Sequence, residues 1–379
     1  MPKNIVLCCD GTAHEFAQDR TNVVKLFYTL VEDPTRQVTY YHPGVGTMEP
    51  SGALTTISRK IKKLLGLAFG YGLENDIRDA YVFLMNYYEP GDSVYLFGFS
   101  RGAYTVRAVA SLLHMYGLIP KGNAPLVPYA IRMLTAINKA DKRSYRKAEK
   151  PQLNQPAVDP KVRAIFDLAN GFKATFSRRA CNLHFVGVWD TVSSIGWIEN
   201  QLRLPYSADN PDIAIGRHAV ALDERRAFFR ANLWRPTPAG GPKDLKQVWF
   251  AGVHQDVGGG YPEKESGLSK FALEWMLKEA VAAGLLIDPA KRDEVLGLTD
   301  PRKYAPPDPN AKIHESLTVW WWPVELIPKR HWNWSKSQWE RRMNLGHRRT
   351  IPPKPLVHKS AFDRRDYKSR LPPGAIPVT

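Results

Sequence analysis

The most restrictive stretch of the sequence is Gly98-Phe99-Ser100-Arg101-Gly102, because of what flanks it. Ser93-Val-Tyr-Leu-Phe97 ahead of it reads as a buried strand, and Ala103 to Leu113 behind it is apolar at helical spacing. A strand that turns into a helix so abruptly needs a sharp corner, and glycines at 98 and 102 remove the Cβ atoms that would collide there. At such a corner the Ser100 hydroxyl stands above the sheet. The helix N-terminus and the Arg101 backbone N–H then face the place where charge develops on a substrate carbonyl oxygen. A serine that merely caps the helix is the bland reading. It does not account for strand, both glycines and helix coinciding.

The rest of the chain repeats the strand and helix rhythm. Asn4–Cys9 and Gln37–Tyr41 are short β-branched or aromatic runs ending at turn residues, and both are expected to be central strands. Between them Thr21 can cap a helix that carries Val23, Val24, Leu26 and Phe27, which makes a βαβ unit. Gly72 to Tyr88 places Leu73, Ile77, Tyr81, Leu84 and Tyr88 on one helical face. Pro120 to Arg179 breaks the rhythm with prolines and a basic patch from Lys139 to Lys150, and is expected to be an insertion over the sheet. Regular order resumes with strands at Asn182–Trp189 and Gln247–Gly252 and a helix from Leu268 to Ala283. The expectation is an α/β fold of the α/β-hydrolase kind: a mostly parallel central sheet flanked by helices, with a helical insertion and an irregular C-terminal extension. Residues 1–300 would form the catalytic domain, with the insertion at about 120–180, and residues 301–379 a Trp-, Pro- and Lys/Arg-rich extension packed on it or trailing it.

A serine hydroxyl is a weak nucleophile at neutral pH and needs a histidine to take its proton and a carboxylate to orient that histidine. In this fold the acid and then the histidine should follow the serine, each from a strand end. Asp190 ends the apolar run from Asn182, and His254 follows the run from Gln247, just before Gly258-Gly259-Gly260. Helix-cap or surface roles are the plain alternatives for these two residues. Asp256 is the second choice of acid, and Asp223-Glu224, read as part of a polar helix, a weaker third. His42 and His184 lie upstream of Asp190, while His331, His347 and His358 belong to the tail, so none matches the order as well. Backbone amides of Gly11 or Thr12, just past the first strand, can complete an oxyanion hole with Arg101, and Asp10 can fix that loop. A metal site from Asp10, Asp190, His254 and Asp256 is chemically conceivable but leaves the serine corner unexplained. A phosphatase built on two aspartates ahead of Gly-Thr fails because Cys8 fills the first position. No metal and no cofactor are expected.

At 379 residues, 44% hydrophobic and 24% charged, the chain can bury a full core without disulfides. Cys8, Cys9 and Cys181 are read as core residues. The first apolar run stops at Asp10, too short for a secretory signal, and no run nears the roughly 20 residues of a membrane span; a cytoplasmic protein is expected. The net charge of +16 favours anionic partners. No phosphate-binding loop or RNA-binding signature is present, so nucleic acid is not expected as a partner. Six of the eleven tryptophans fall between Trp320 and Trp339 beside Lys329, Arg330, Lys336, Arg341 and Arg342. That mixture suits peripheral contact with an anionic membrane, although tryptophans packing the tail onto the domain are the plainer reading.

Seven ordered segments carry a resemblance. They are Cys-Asp-Gly-Thr at 9–12, Thr-Asn-Val-Val at 21–24, Tyr-Tyr-His-Pro-Gly-Val-Gly-Thr at 40–47, Gly-Phe-Ser-Arg-Gly-Ala-Tyr at 98–104, Val-Trp-Asp-Thr-Val at 188–192, Leu-Asp-Glu-Arg-Arg at 222–226 and Gly-Val-His-Gln-Asp-Val-Gly-Gly-Gly-Tyr at 252–261. Together they resemble a bacterial and fungal α/β-hydrolase family that includes phospholipase effectors of type VI secretion systems. The resemblance implies a triad of Ser100, Asp190 and His254 and ester hydrolysis, which in the secreted effectors falls on membrane phospholipids. The leading expectation is therefore a serine hydrolase that cleaves a lipid ester through an acyl-serine intermediate. An esterase for small soluble esters is the nearest alternative, and a non-catalytic binding module with a basic surface the alternative of another class.

Overall fold

The computed structural model describes residues 2–11, 20–44, 69–136, 160–177, 181–192, 196–197, 200–201, 204–235, 240–334, 336 and 338–379. The Lys139–Lys150 patch and Thr12 lie outside these residues.

Alternate residues of the first strand, β1 (Asn4–Cys9), enter two different apolar layers. Ile5, Leu7 and Cys9 pack on one side of the sheet, Val6 and Cys8 on the other. A strand buried on both faces reads as a continuous apolar run, the signature of a parallel sheet sandwiched between helices. β2 (Gln37–His42), β3 (Ser93–Phe99), β4 (Leu183–Trp189), β5 (Ile215–Ala221) and β6 (Asp244–Phe250) follow. β7 (Lys329–Asn333) and β8 (Gln338–Arg342) form a separate antiparallel hairpin. β9 (Leu356–His358) and β10 (Ile376–Val378) return to the main sheet. That sheet has eight strands in the order β10-β9-β6-β5-β4-β3-β1-β2, and every described pairing in it is parallel.

Parallel neighbours need crossovers, and the helices supply them. α1 (Asn22–Thr29) starts at the expected cap, with the Thr21 hydroxyl accepting the Val24 N–H. α2 (Phe69–Tyr87) and α3 (Arg101–Tyr116) cover the face that holds Ile5 and Leu7. α4 (Pro160–Phe176) packs beside α3 through Phe172 against Tyr116. α5 (His254–Gly258) and α6 (Gly267–Ala282) lie with α1 on the opposite face.

Three expectations need correction. β2 is an edge strand, not a central one, which agrees with its run of half-buried residues after Gln37. Asp223 and Glu224 lie in a loop just past β5 rather than on a helix, and both are buried. The tail is not simply irregular: β9 and β10 extend the sheet beyond β6, and Val357, Ala361 and Tyr367 join Val220, Leu222 and Trp249 in a third apolar cluster. Cys8 and Cys9 are buried and Cys181 partly so, all three free thiols. No helix among the described residues is long and apolar enough to cross a membrane.

Candidate active site

Ser100 occupies the corner between β3 and α3 at φ 56°, ψ −114°, a left-handed region that non-glycine residues rarely enter, and its side chain makes no capping hydrogen bond. The corner is close-packed. A Cβ on Gly98 would lie 2.5 Å from the Gly102 carbonyl oxygen, and one on Gly102 would lie 2.0 Å from that of Cys9. Both glycines are therefore required for α3 to pass this close to β1 and β3. The serine pays for no helix cap and instead stands in a strained backbone conformation, which is how functional side chains are often held.

Asp190 sits just past β4, fully buried, at φ 38°. Its Oδ2 lies 2.5 Å from Nδ1 of His254. Its Oδ1 accepts the Ala221 N–H at 3.0 Å. Arg349, from the tail, grips the same carboxylate with Nη1 at 2.5 Å from Oδ1 and Nη2 at 2.9 Å from Oδ2. Arg349 also donates through Nε to the Phe229 carbonyl oxygen at 2.8 Å. Nothing in the local sequence around Arg349, one arginine in a basic tail, marks it for this role.

His254 opens α5 with its ring 4.7 Å from that of Phe99, the residue before Ser100, and 4.9 Å from that of Phe229. A Cβ on Gly258 would fall 1.9 Å from the Phe99 ring, so α5 lies flush against the end of β3. Asn22 secures α5 from beneath, donating through Nδ2 to the carbonyl oxygens of Val257 at 2.9 Å and Ser269 at 3.0 Å. Glu224 accepts the His254 backbone N–H at 3.2 Å and both the backbone and guanidinium N–H groups of Arg226. The Arg226 guanidinium in turn lies 3.5 Å above the Phe229 ring. The Thr-Asn-Val-Val and Leu-Asp-Glu-Arg-Arg segments thus brace the histidine loop.

Burial pushes the His254 imidazole below its ordinary pKa, against the upward pull of Asp190. Burial alone would raise the Asp190 carboxyl, but Arg349 and then the hydrogen bond from His254 outweigh it and hold the group well below the usual carboxylate range. At neutral pH the pair is an ionised acid and a neutral imidazole. With Nδ1 committed to Asp190, Nε2 is the ring nitrogen left to take a proton. Behind Asp190, His218 is fully buried and its Nε2 accepts the Thr191 N–H at 3.1 Å; burial, with Arg107 nearby, lowers its pKa to about 3.

Asp10 is buried and fixes its loop, accepting from the Thr21 hydroxyl at 2.6 Å and the Tyr41 hydroxyl at 3.0 Å. It also accepts the Gly11 N–H at 2.7 Å, so that amide is directed at a carboxylate rather than at an open position. Arg101, expected to offer its backbone N–H, has a buried side chain near Asp76, whose carboxyl burial raises to about 6. Asp256 faces another histidine: its Oδ1 lies 2.6 Å from Nδ1 of His314, whose Nε2 is 2.8 Å from Glu265. Of the four groups weighed as metal ligands, Asp190 and His254 bond to each other while Asp10 and Asp256 are turned to other partners, and among the described residues no three His, Cys, Asp or Glu side chains are grouped to hold a metal ion.

The chain is 37% identical over 245 residues to the uncharacterized protein YEL023C of Saccharomyces cerevisiae (strain ATCC 204508 / S288c). That match takes in 62% of this chain but spans only 33% of the yeast protein's length. Among solved structures, a crystal structure of an uncharacterized protein from Pseudomonas aeruginosa aligns at TM-score 0.43 and 19% identity, covering 77% of this chain and 47% of that one. The Tle1 effector bound to the VgrG spike from the type 6 secretion system aligns at TM-score 0.34 and 17% identity, covering 70% of this chain and 52% of that one. Residues 3–279 match the family described as "T6SS, Phospholipase effector Tle1-like, catalytic domain". With its α/β-hydrolase-like sheet and a match over most of its length, the chain belongs to the Tle1-like phospholipase effector family.

Proposed function

We propose that this chain is a serine hydrolase that cleaves a carboxylic ester of a phospholipid or related lipid. The observation that carries the reading is the His254 Nδ1 to Asp190 Oδ2 contact of 2.5 Å, on a helix lying flush against Phe99 at the foot of the Ser100 corner. His254 Nε2 takes the proton of the Ser100 hydroxyl as its oxygen attacks the ester carbonyl carbon. The Arg101 N–H at the start of α3 stabilises the oxyanion. The imidazolium, supported by Asp190, returns its proton to the departing alcohol and leaves an acyl-serine. Water, deprotonated by the same imidazole, then releases the fatty acid.

Lipid as the substrate class is supported by the family's phospholipase description and by an apolar surface beside the site. Val319, Trp320, Trp322 and Leu326 are exposed, Trp320 by 76%, while Trp321 packs on Phe229, which touches His254. Exposed tryptophans beside basic residues suit peripheral contact with an anionic membrane.

Fluorophosphonate labelling tests the class of function. The wild type is expected to be modified at Ser100 and Ser100→Ala to be unlabelled; labelling that persists in Ser100→Ala refutes the assignment. Hydrolysis of phosphatidylglycerol vesicles compared with short soluble esters tests the substrate class.

A further inference from the structure

The β7–β8 hairpin carries a buried cation that has no hydrogen-bond partner among the described residues. Lys329 is only 5% exposed, and among the described residues its Nζ has no hydrogen-bond partner. It lies 5.9 Å from the centre of the Phe228 ring. His331, two positions along the strand and so on the same side, is 9% exposed, and its Nε2 likewise has no partner among the described residues.

The surroundings add positive charge. Burial and then Arg230 push Lys329 down to about 8, and burial, Arg230 and Arg342 push His331 down to about 4. The carboxylate that Lys329 feels, Glu325, is occupied: it accepts the Ala227 N–H at 2.6 Å, Asn344 Nδ2 at 2.6 Å and the Gly346 N–H at 3.1 Å. A buried ammonium without a partner is costly, by several kcal/mol in order of magnitude, and an anion is the direct physical remedy.

We propose that Lys329 and His331 form a binding site for a phosphate group, with the nearby charge of Arg230 adding to its pull on an anion. A phosphate presents enough acceptor oxygens to engage an ammonium and an imidazole together, and its charge favours the protonated, donor form of the histidine. The position gives the site a purpose. The Phe228 ring is 6.0 Å from that of Phe229, and Phe229 is 4.9 Å from His254, so the cations lie behind a thin aromatic layer from the candidate base. The phosphate source that fits is a phospholipid headgroup held while its ester reaches Ser100. That part rests on the proposed lipid hydrolysis; the phosphate binding itself does not.

Thermal unfolding in about 20 mM inorganic phosphate against chloride at matched ionic strength tests the binding, with a rise of roughly 2–4 °C expected in the wild type and none in Lys329→Met. No rise, or an equal rise in both proteins, overturns the proposal. Arg230→Gln, at a half-buried position, is the second variant should Lys329→Met not fold, and its phosphate response is expected to fall. The source is distinguished by turnover: kcat/KM on phosphatidylglycerol vesicles relative to a neutral short-chain ester should drop about tenfold or more in Lys329→Met if the headgroup is the ligand. An unchanged ratio with the thermal response lost supports the phosphate site and assigns it to free phosphate. A wild type that turns over no ester yet responds to phosphate refutes the hydrolase reading and supports this site.

Discussion

Arg349 provides the sharpest test of how the candidate site works, because it reaches Asp190 from the tail and grips its carboxylate with two nitrogens. Arg349→Met removes two hydrogen bonds, at 2.5 and 2.9 Å, from a carboxylate with no exposure to solvent. Breaking one partner out of a buried ion pair costs about 3–5 kcal/mol, which for a chain of this size lowers the melting temperature by roughly 4–6 °C. A structural arginine would do that much. The distinguishing effect is on His254. With the guanidinium gone, the Asp190 charge acts on the imidazole alone and raises its pKa, so the neutral base is lost at a higher pH on acidification. The acid limb of kcat/KM should therefore move up by about one pH unit, equivalent to about 1.4 kcal/mol, and turnover should fall by about 10- to 100-fold through a misplaced Asp190. Arg349→Lys, which keeps charge but loses the two-pronged grip, should fall between. The assay is hydrolysis of a short-chain chromogenic ester across pH 5 to 9, with thermal unfolding on the same preparations. An acid limb and melting temperature that both stay where they are in Arg349→Met refute the reasoning.

Asp190→Asn should reduce turnover by about 10⁴-fold, whereas Asp256→Asn, which breaks the contact with His314, should act mainly on melting temperature; the reverse pattern in steady-state kinetics would reassign the acid. Because burial holds His254 below its ordinary value, the wild-type kcat/KM should stay on its plateau as pH falls past about 6.5 and decline only below it, as a pH–rate profile will show. Gly102→Ala would place a Cβ 2.0 Å from the Cys9 carbonyl oxygen, and it should cost more than about 3 kcal/mol in denaturant unfolding or abolish soluble expression.

The parts of the candidate site that were legible in the sequence are those where local pattern and chemistry coincide. The Ser100 corner announces itself by its glycines, and Asp190 and His254 each follow an apolar run that ends at the same edge of the sheet. The supporting groups were not legible because nothing near them in the chain says what they touch. Glu224 in the Leu-Asp-Glu-Arg-Arg segment reads as part of a polar helix, yet it sits fully buried in a loop and holds the His254 backbone. His314, which no sequence pattern singles out, is clamped between Asp256 and Glu265. Tail strands as short as Leu356–His358 and Ile376–Val378 are too brief for periodicity to reveal.

The distance in sequence between Asp190 and its guanidinium partner, 159 residues, has a consequence for synthesis. A nascent chain on the ribosome exposes Ser100, Asp190 and His254 well before Arg349 is made. During that interval the carboxylate would have to enter a dry interior with only His254 and one backbone amide to meet its charge. Closure of the pocket around Asp190 should accordingly wait for Arg349 to emerge. A ribosome-arrested chain ending between Leu285 and Tyr304 should bind a fluorophosphonate poorly even though it already holds Ser100, Asp190 and His254.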